Sequence, residues 1–205
     1  MKYFLWIFLF FQCSLFAQER PQLFFREDFK ETPAEIPVSQ NHISNPDVVL
    51  NLYGEDSGQL KKSHHDTPKD DPYYVWSGLC RSTWAITLKH QSKHVDLSKF
   101  GKIKWRSKQS GFRQLRIVLK LADGTWLVSD AFDGPSTDWR IREFNISDIK
   151  WKALDMELIV ETKPAQNPDL TKVEEIGWTD LMVGGNSDAC SRVDWIEVYG
   201  YPMEK

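Results

Sequence analysis

The chain has 205 residues, of which 41% are hydrophobic and 27% charged, with a formal net charge of −3 at pH 7. That length supports one well-buried domain and is short for two. A slightly acidic balance argues against a general nucleic-acid binder, so any basic surface has to be local; nine tryptophans suit a sandwich core or a sugar-binding surface.

The chain opens on a leader. Lys2 precedes an apolar run over residues 3–16 that ends at Ala17 and Gln18. A short positive start, an apolar stretch too short to span a bilayer and a small residue at its end predict a signal peptide over 1–17. Cys13 inside the run lacks the small residues that precede a lipidated cysteine, which argues against a lipoprotein. The expected mature protein is a single exported domain, 18–205, secreted or periplasmic, with no later apolar run long enough for a membrane helix. It keeps Cys80 and Cys190. An even pair in an oxidising compartment predicts a disulfide; the alternative is two buried thiols.

Residues 23–29 read as an opening strand and 48–53 as a second. Residues 54–74 are polar and rich in Lys, Asp, His and Pro, the composition of a long surface loop, and such loops are often functional. Trp84, Ile86 and Leu88 then alternate with Ala85, Thr87 and Lys89. In 102–108, Ile103 and Trp105 alternate with Lys102, Lys104, Arg106 and Lys108. After a turn at Ser110 and Gly111, Leu115, Ile117, Leu119 and Leu121 oppose Gln114, Arg116, Val118 and Lys120. Period-two alternation marks strands with one face on the core.

Asp123 and Gly124 predict a two-residue hairpin turn that pairs Leu121 with Trp126 and Leu119 with Val128. This puts Trp126 in the core with Trp84 and Trp105, and Leu127 and Ser129 on the basic side. In 139–146 the alternation fails: Trp139 and Ile141 share a face with Glu143, while Phe144 and Ile146 lie with Arg140 and Arg142. A bulge would reconcile this, and the direction of Arg142 stays open. Residues 173–183 and 192–199 supply closing strands. No segment has convincing amphipathic helix periodicity. The class is all-β, a two-sheet antiparallel β-sandwich of jelly-roll type.

Several landmarks recur in a set order: Val95-Asp96-Leu97-Ser98-Lys99-Phe100, the strand with Trp105, the 115–121 strand, Asp138-Trp139-Arg140, Ser147-Asp148-Ile149, and Arg192-Val193-Asp194-Trp195-Ile196-Glu197-Val198-Tyr199. This order resembles the galactose-binding-like β-sandwiches, a group that includes family 11 carbohydrate-binding modules and the complex I intermediate-associated proteins. The resemblance covers residues 75–200. It implies a jelly roll that binds glycans on a sheet face or at loop tips, and it does not imply catalysis. It also implies a place for a structural calcium between the first and last strands, where Glu27, Asp28 and Asp194 would supply oxygens. The alternative is that these acids are solvated or paired with Arg26 and Arg192. No other cofactor is expected.

The solvent face of the alternating stretch is the first candidate site: Lys104, Arg106, Arg116 and Lys120, joined by Lys89, with Phe112 and Gln114. Arginine offers a planar fork to carboxylate or sulfate and lysine adds a point charge, so an anionic polysaccharide is the expected ligand. The alternative is an ordinary solvated face, with cations guarding exposed strands. Stacking platforms are expected at Tyr73, Tyr74, Trp76 or Phe112, with Trp178 and Trp195 undecided. His64, His65 and Asp66, followed by Tyr73 and Tyr74, form the second candidate. A histidine or tyrosine base beside cations that neutralise a uronate is the logic of a lyase; the alternative is a polar loop that happens to hold two histidines. Adjacent histidines lack zinc-ligand spacing, and no nucleophile elbow, P-loop or dinucleotide fingerprint is present.

The expected function is a secreted, non-catalytic carbohydrate-binding protein for an anionic polysaccharide, with no nucleic-acid partner, no membrane span and an open oligomeric state. Two alternatives stand beside it: a polysaccharide lyase or glycan hydrolase using His64 or His65 with Tyr73 or Tyr74, and a structural interaction module of the cell envelope.

Overall fold

The computed structural model describes residues 20–182 and 187–205; the expected leader (1–17) and Val183, where the 173–183 strand was expected to end, lie outside the described residues. Fifteen strands form among the described residues: β1 (Leu23–Glu27), β2 (Val48–Tyr53), β3 (Lys61–Ser63), β4 (Tyr74–Trp76), β5 (Ala85–His90), β6 (Lys93–Asp96), β7 (Lys102–Gln109), β8 (Leu115–Leu121), β9 (Trp126–Asp133), β10 (Arg140–Asn145), β11 (Trp151–Asp155), β12 (Val160–Pro164), β13 (Val173–Asp180), β14 (Ser191–Tyr199) and β15 (Tyr201–Glu204). Helical structure is confined to three single turns, at Gln40–His42, Ser57–Gln59 and Ile146–Asp148. No described helix is long and apolar enough to cross a membrane.

The strands form two antiparallel sheets. The smaller, front sheet runs β10-β7-β14-β4-β3, with β1 also on β14; the larger, back sheet runs β12-β11-β9-β8-β13-β5-β2, with β6 on β13 and β15 on β6. Inward alternates meet between them. Ile103 and Trp105 of β7 and Val193, Ile196 and Val198 of β14 face Ile117 and Leu119 of β8, Ile176 and Trp178 of β13, and Ile86 and Leu88 of β5. All are buried, and each such side chain contributes about 1.5–3 kcal/mol by leaving water.

Three expectations need correction. The first concerns the basic face. β7 pairs with β10 and β14, whereas β8 pairs with β9 and β13. The turn at Ser110 and Gly111 therefore crosses from one sheet to the other. Because the apolar faces of β7 and β8 face each other across the core, their basic faces point in opposite directions. Lys104 and Arg106 lie on the outside of the front sheet, Arg116 and Lys120 on the outside of the back sheet.

The second concerns the β8–β9 hairpin, whose register is Lys120 with Trp126, Leu119 with Leu127 and Val118 with Val128. The loop is one residue longer than a two-residue turn allows: Leu121 donates its N–H to the Thr125 carbonyl at 2.9 Å, and Gly124 takes the left-handed φ of 89°. A one-residue slip moves every side chain to the other face. Leu127 is thus in the core, and Trp126 lies outside, half-buried, against Tyr53 and Lys120. Trp84, Trp105 and Trp178 are buried in the core.

The third concerns β10, where no bulge is needed. Arg140, Arg142 and Phe144 pair with Ser107, Trp105 and Ile103 on the inward register, while Ile141 and Glu143 point out. This edge strand tolerates inward arginines because buried Asp133 meets them, 2.5 Å from Arg140 Nη2 and 3.5 Å from Arg142 Nε. Asp133 also accepts from Trp105 Nε1 at 3.0 Å and from the Ser107 hydroxyl.

Candidate functional site

The outside of the front sheet is interrupted. Along one side of β14, β4 pairs with Arg192 and Val193 and β1 pairs from Ile196 to Tyr199. Asp194 and Trp195 fall between them. On the other side, the register with β7 shifts between Val193 and Trp195, so this is also a bulge. Bulges re-aim side chains and often accompany sites. Here the bulge and the gap open a cleft of about 630 Å³, lined among others by Arg26, His64, Tyr73, Arg106, Asp194 and Trp195. A smaller concavity of about 280 Å³ adjoins it, sharing Asp70, Asp71 and Arg106 and adding Lys108, Asp138 and Trp139.

The polar segment that follows β3 forms the opposing wall. It folds back because Asp71 acts as its clasp. The Asp71 N–H donates to the Pro68 carbonyl at 3.0 Å, and its carboxylate accepts from the His65 N–H at 2.9 Å and lies 2.9 Å from His65 Nδ1. His64 Nδ1 donates to the Asp71 carbonyl at 3.0 Å, which lays the imidazole flat on Tyr73, ring centres 4.0 Å apart and 12° from parallel. The second pair serves differently. Tyr74 is buried, its hydroxyl 3.1 Å from His65 Nδ1 and its ring 5.3 Å from Trp139; burial raises its pKa. His64 and Tyr73 therefore enter the cleft, while His65 and Tyr74 anchor its wall.

Charges in the cleft come in pairs. Arg106 Nη1 lies 2.7 Å from Asp194, whose pKa is raised by burial and held back by that guanidinium. Arg26 lies 2.5 Å from both Asp28 and Glu197, and its guanidinium sits 4.4 Å over the Trp195 ring. Arg106 similarly lies 5.3 Å over Trp139. The lining thus alternates donor and acceptor groups between aromatic rings.

The remaining predicted residues are not in this cleft. Lys89 and Lys120 lie on the back sheet's outer face against Glu174, and Lys120 also meets Glu175. Arg116 is paired there with Glu161 at 2.5 Å. Lys104 is on the front face but meets Glu143 at 3.2 Å. Phe112 is exposed at the β7–β8 crossover, where the Arg113 guanidinium stands 5.4 Å over its ring, and Gln114 is half-buried beside it. Among the described residues no continuous cationic face therefore joins these groups.

The three carboxylates expected to share calcium are each taken up by protein donors. Buried Glu27 accepts from the Phe29, Ser44 and Asn45 N–H groups at 2.7–2.9 Å, Asp28 is held by Arg26 and Asp194 by Arg106. Among the described residues no group of three or more metal-ligating side chains comes together. The expected disulfide is not formed. Cys80 and Cys190 are buried free thiols. The Cys80 sulfur lies 3.5 Å from the Asp56 carbonyl, the Cys190 sulfur 3.3 Å from Ser110 Oγ, and burial pushes the Cys80 thiol up to about 12.

Two groups of consequence escape a sequence reading. Arg113, buried, donates to the Ala189 and Met182 carbonyls and pairs with buried Asp180 at 3.4 Å. Lys62 is fully buried behind the cleft wall. Its ammonium lies 4.6 Å from the Tyr73 ring with no hydrogen-bond partner. Burial lowers its pKa to about 8, opposed by Asp194 and Glu31. No sequence signal marks it, because its burial follows from pairing with Val75, which is core, and cross-strand partners share a face.

No protein-family model matches the chain and no curated protein matches it significantly. Solved structures do. The family 11 carbohydrate-binding module of the cellulosomal cellulase Lic26A-Cel5E of Clostridium thermocellum aligns with a TM-score of 0.50 at 16% identity, covering 86% of this chain and 99% of that one. The chain shares the fold of the family 11 carbohydrate-binding modules. A second structure from the same organism, such a module in complex with a β-1,3-1,4-mixed-linked tetrasaccharide, aligns at a TM-score of 0.47 and 16% identity, covering 86% of this chain and 100% of that one.

Proposed function

We propose that this protein is a carbohydrate-binding module that holds a glycan without cleaving it, in the cleft where β14 runs between β4 and β1. The observation that carries the proposal is the cleft itself: Trp195 and the His64–Tyr73 stack flank the Arg106–Asp194 pair. Sugar hydroxyls both donate and accept, and sugar rings have apolar faces. A mixed row of carboxylates and guanidiniums between aromatic rings meets both needs. The shared fold supports the same reading. Since each of Arg26 and Arg106 already faces a carboxylate, the cleft favours a neutral glycan over the anionic polysaccharide expected from the alternating strands. Export through the leader would place this binding outside the cytoplasm.

Affinity electrophoresis against soluble neutral and uronate-containing polysaccharides tests the proposal. Retardation by a neutral glycan, reduced at least tenfold in affinity by Trp195→Ala, is the expected result. Binding unchanged in both Trp195→Ala and Tyr73→Ala would overturn it.

A lyase reading draws on one observation, the entry of His64 and Tyr73 into the same cleft as Arg106. Against it, the Arg106 charge is already matched by Asp194, leaving it poorly placed to neutralise a uronate. Unsaturated products would absorb in the far ultraviolet, and their release from a uronate panel, abolished by His64→Ala, would favour cleavage over binding alone.

A further inference from the structure

A second concavity lies on the same front face, at the opposite end of β7. It holds about 460 Å³ and is lined by Arg20, Phe100, Lys102, Lys104, Asn145 and Tyr199, together with the adjacent Pro21, Gly101 and Ser147. No carboxylate is in the lining. Two carboxylates border it: Glu143 on β10 takes both ammoniums, Lys102 at 2.7 Å and Lys104 at 3.2 Å, and Asp148 accepts from Asn145 Nδ2 at 3.1 Å and from the Ser147 hydroxyl at 3.2 Å. One carboxylate thus serves two lysines, and Arg20 adds a third cation. Glu197, beneath Tyr199, is already engaged by Arg26 at 2.5 Å and by the Tyr199 hydroxyl at 2.8 Å. Three cations against Glu143 and Asp148 leave the pocket with one excess positive charge, unlike the paired cleft beside it. Asn145 contributes a side-chain amide, whose nitrogen already donates to Asp148 and whose oxygen can accept.

Phe100 marks the rim. Its φ is 55°, a left-handed conformation that bulky residues avoid. Phe29 and Ile159 also have positive φ, but both are buried at 2% exposure, so core packing offsets their strain. Phe100 is 59% exposed and gains no such packing. A strained aromatic ring held out at the mouth of a cationic pocket is the pattern of a recognition element.

We propose that this concavity binds an anionic sugar residue, its carboxylate or sulfate placed among Lys102, Lys104 and Arg20 and its apolar face against Phe100. Charge complementarity selects the anion, and the exposed ring selects a sugar over a bare ion. The site is independent of the cleft: a glycan residue with an acidic group would be read here whether or not the cleft holds a neutral segment.

Calorimetry with three oligosaccharides of equal length tests this, one neutral, one with a terminal uronate and one with a terminal sulfate. The acidic probes should bind at least tenfold more tightly than the neutral one, with affinity falling as salt is raised. Phe100→Gly is the most informative variant. Glycine accepts the positive φ, so the thermal midpoint should hold or rise while affinity for the acidic probes falls severalfold. Lys104→Gln should reduce acidic binding about tenfold, and Trp195→Ala should leave the preference for acidic over neutral probes unchanged, which separates failure of this site from failure of the cleft. Equal binding of acidic and neutral probes, or wild-type affinity in both Phe100→Gly and Lys104→Gln, would overturn the proposal. So would vesicles of anionic phospholipid binding through these residues when the sugars give no signal.

Discussion

The outer faces of the two sheets are both rich in charge, yet they are built for different ends. On the back sheet, Glu175 is buried on the outward register and accepts from Asn51, Tyr53, Thr87 and Lys120 at 2.5–3.2 Å. Beside it, Val118, Val128 and Leu154 form a small second apolar cluster with Trp126, Met156 and Leu181 packed over it. Both oxygens of the Glu175 carboxylate are used, so this part of the face is sealed. On the front sheet, a gap along β14 leaves rings and paired charges open to a cleft, and β7 ends in a cationic pocket. Charge on a strand face is thus no guide to function by itself. What differs is whether the protein has already satisfied it.

The largest effect should come from breaking the sealed face. Glu175→Ala leaves Asn51, Tyr53 and Thr87 around an empty acceptor site while Lys120 keeps Glu174, and each buried donor left unsatisfied costs about 1–3 kcal/mol. Urea unfolding should show that loss, while glycan affinity, measured where the variant is folded, stays at the wild-type level.

Next is Lys62, behind the cleft wall. Its folded pKa of about 8 lies below the ordinary lysine value of 10.5, so the unfolded chain holds the proton more tightly. Wild-type stability should rise with pH between about 8 and 10.5, because the unfolded state carries more bound protons there, and the penalty is fully present below 8. Lys62→Met keeps the length and removes the charge. At pH 7 it should raise stability, by at most about 3 kcal/mol, and it should flatten the rise above pH 8 in a pH series of unfolding curves. No gain at pH 7 would mean that the amine has found a partner.

A smaller energy attaches to the open face. Trp195→Ala should weaken glycan binding about tenfold, equivalent to about 1.4 kcal/mol. Far-ultraviolet circular dichroism of that variant should match the wild type. Least affected should be Arg116→Ala on the back sheet, whose partner Glu161 is itself partly exposed. Such pairs contribute about 0–1 kcal/mol, and glycan affinity should not move. A loss of binding there would reverse the assignment of the two faces.

Several of these features are legible in the chain. Alternation in 102–108 and 115–121 correctly places Ile103, Trp105, Ile117 and Leu119 in the core, because side-chain direction along one strand is a local property. The second strand, 48–53, is found in full for the same reason. Trp126 is misplaced because the hairpin register depends on one residue of loop length, which Asp123 and Gly124 alone do not settle. Arg142 resists a sequence reading because its direction is decided by Asp133, a residue on another strand. Of the candidate site, Arg106, His64 and Tyr73 are visible as residue types; Trp195 is left undecided because its environment is set by the gap beside β14, and Lys62 goes unseen because its burial comes from pairing with Val75 on β4.

What the amino-acid sequence determined by itself was the all-β class and, for most strands, which side chains point inward, since periodicity is carried by neighbours along the chain. Tertiary structure alone decided which strands became neighbours. A five-residue crossover between β7 and β8 sends two similar basic faces to opposite sides of the molecule. One was closed by its own carboxylates and apolar cover, and the other was left open where β14 lacks a partner. Strand pairing is a long-range choice, made by the packing of two sheets on one core, and it is that choice that placed the site.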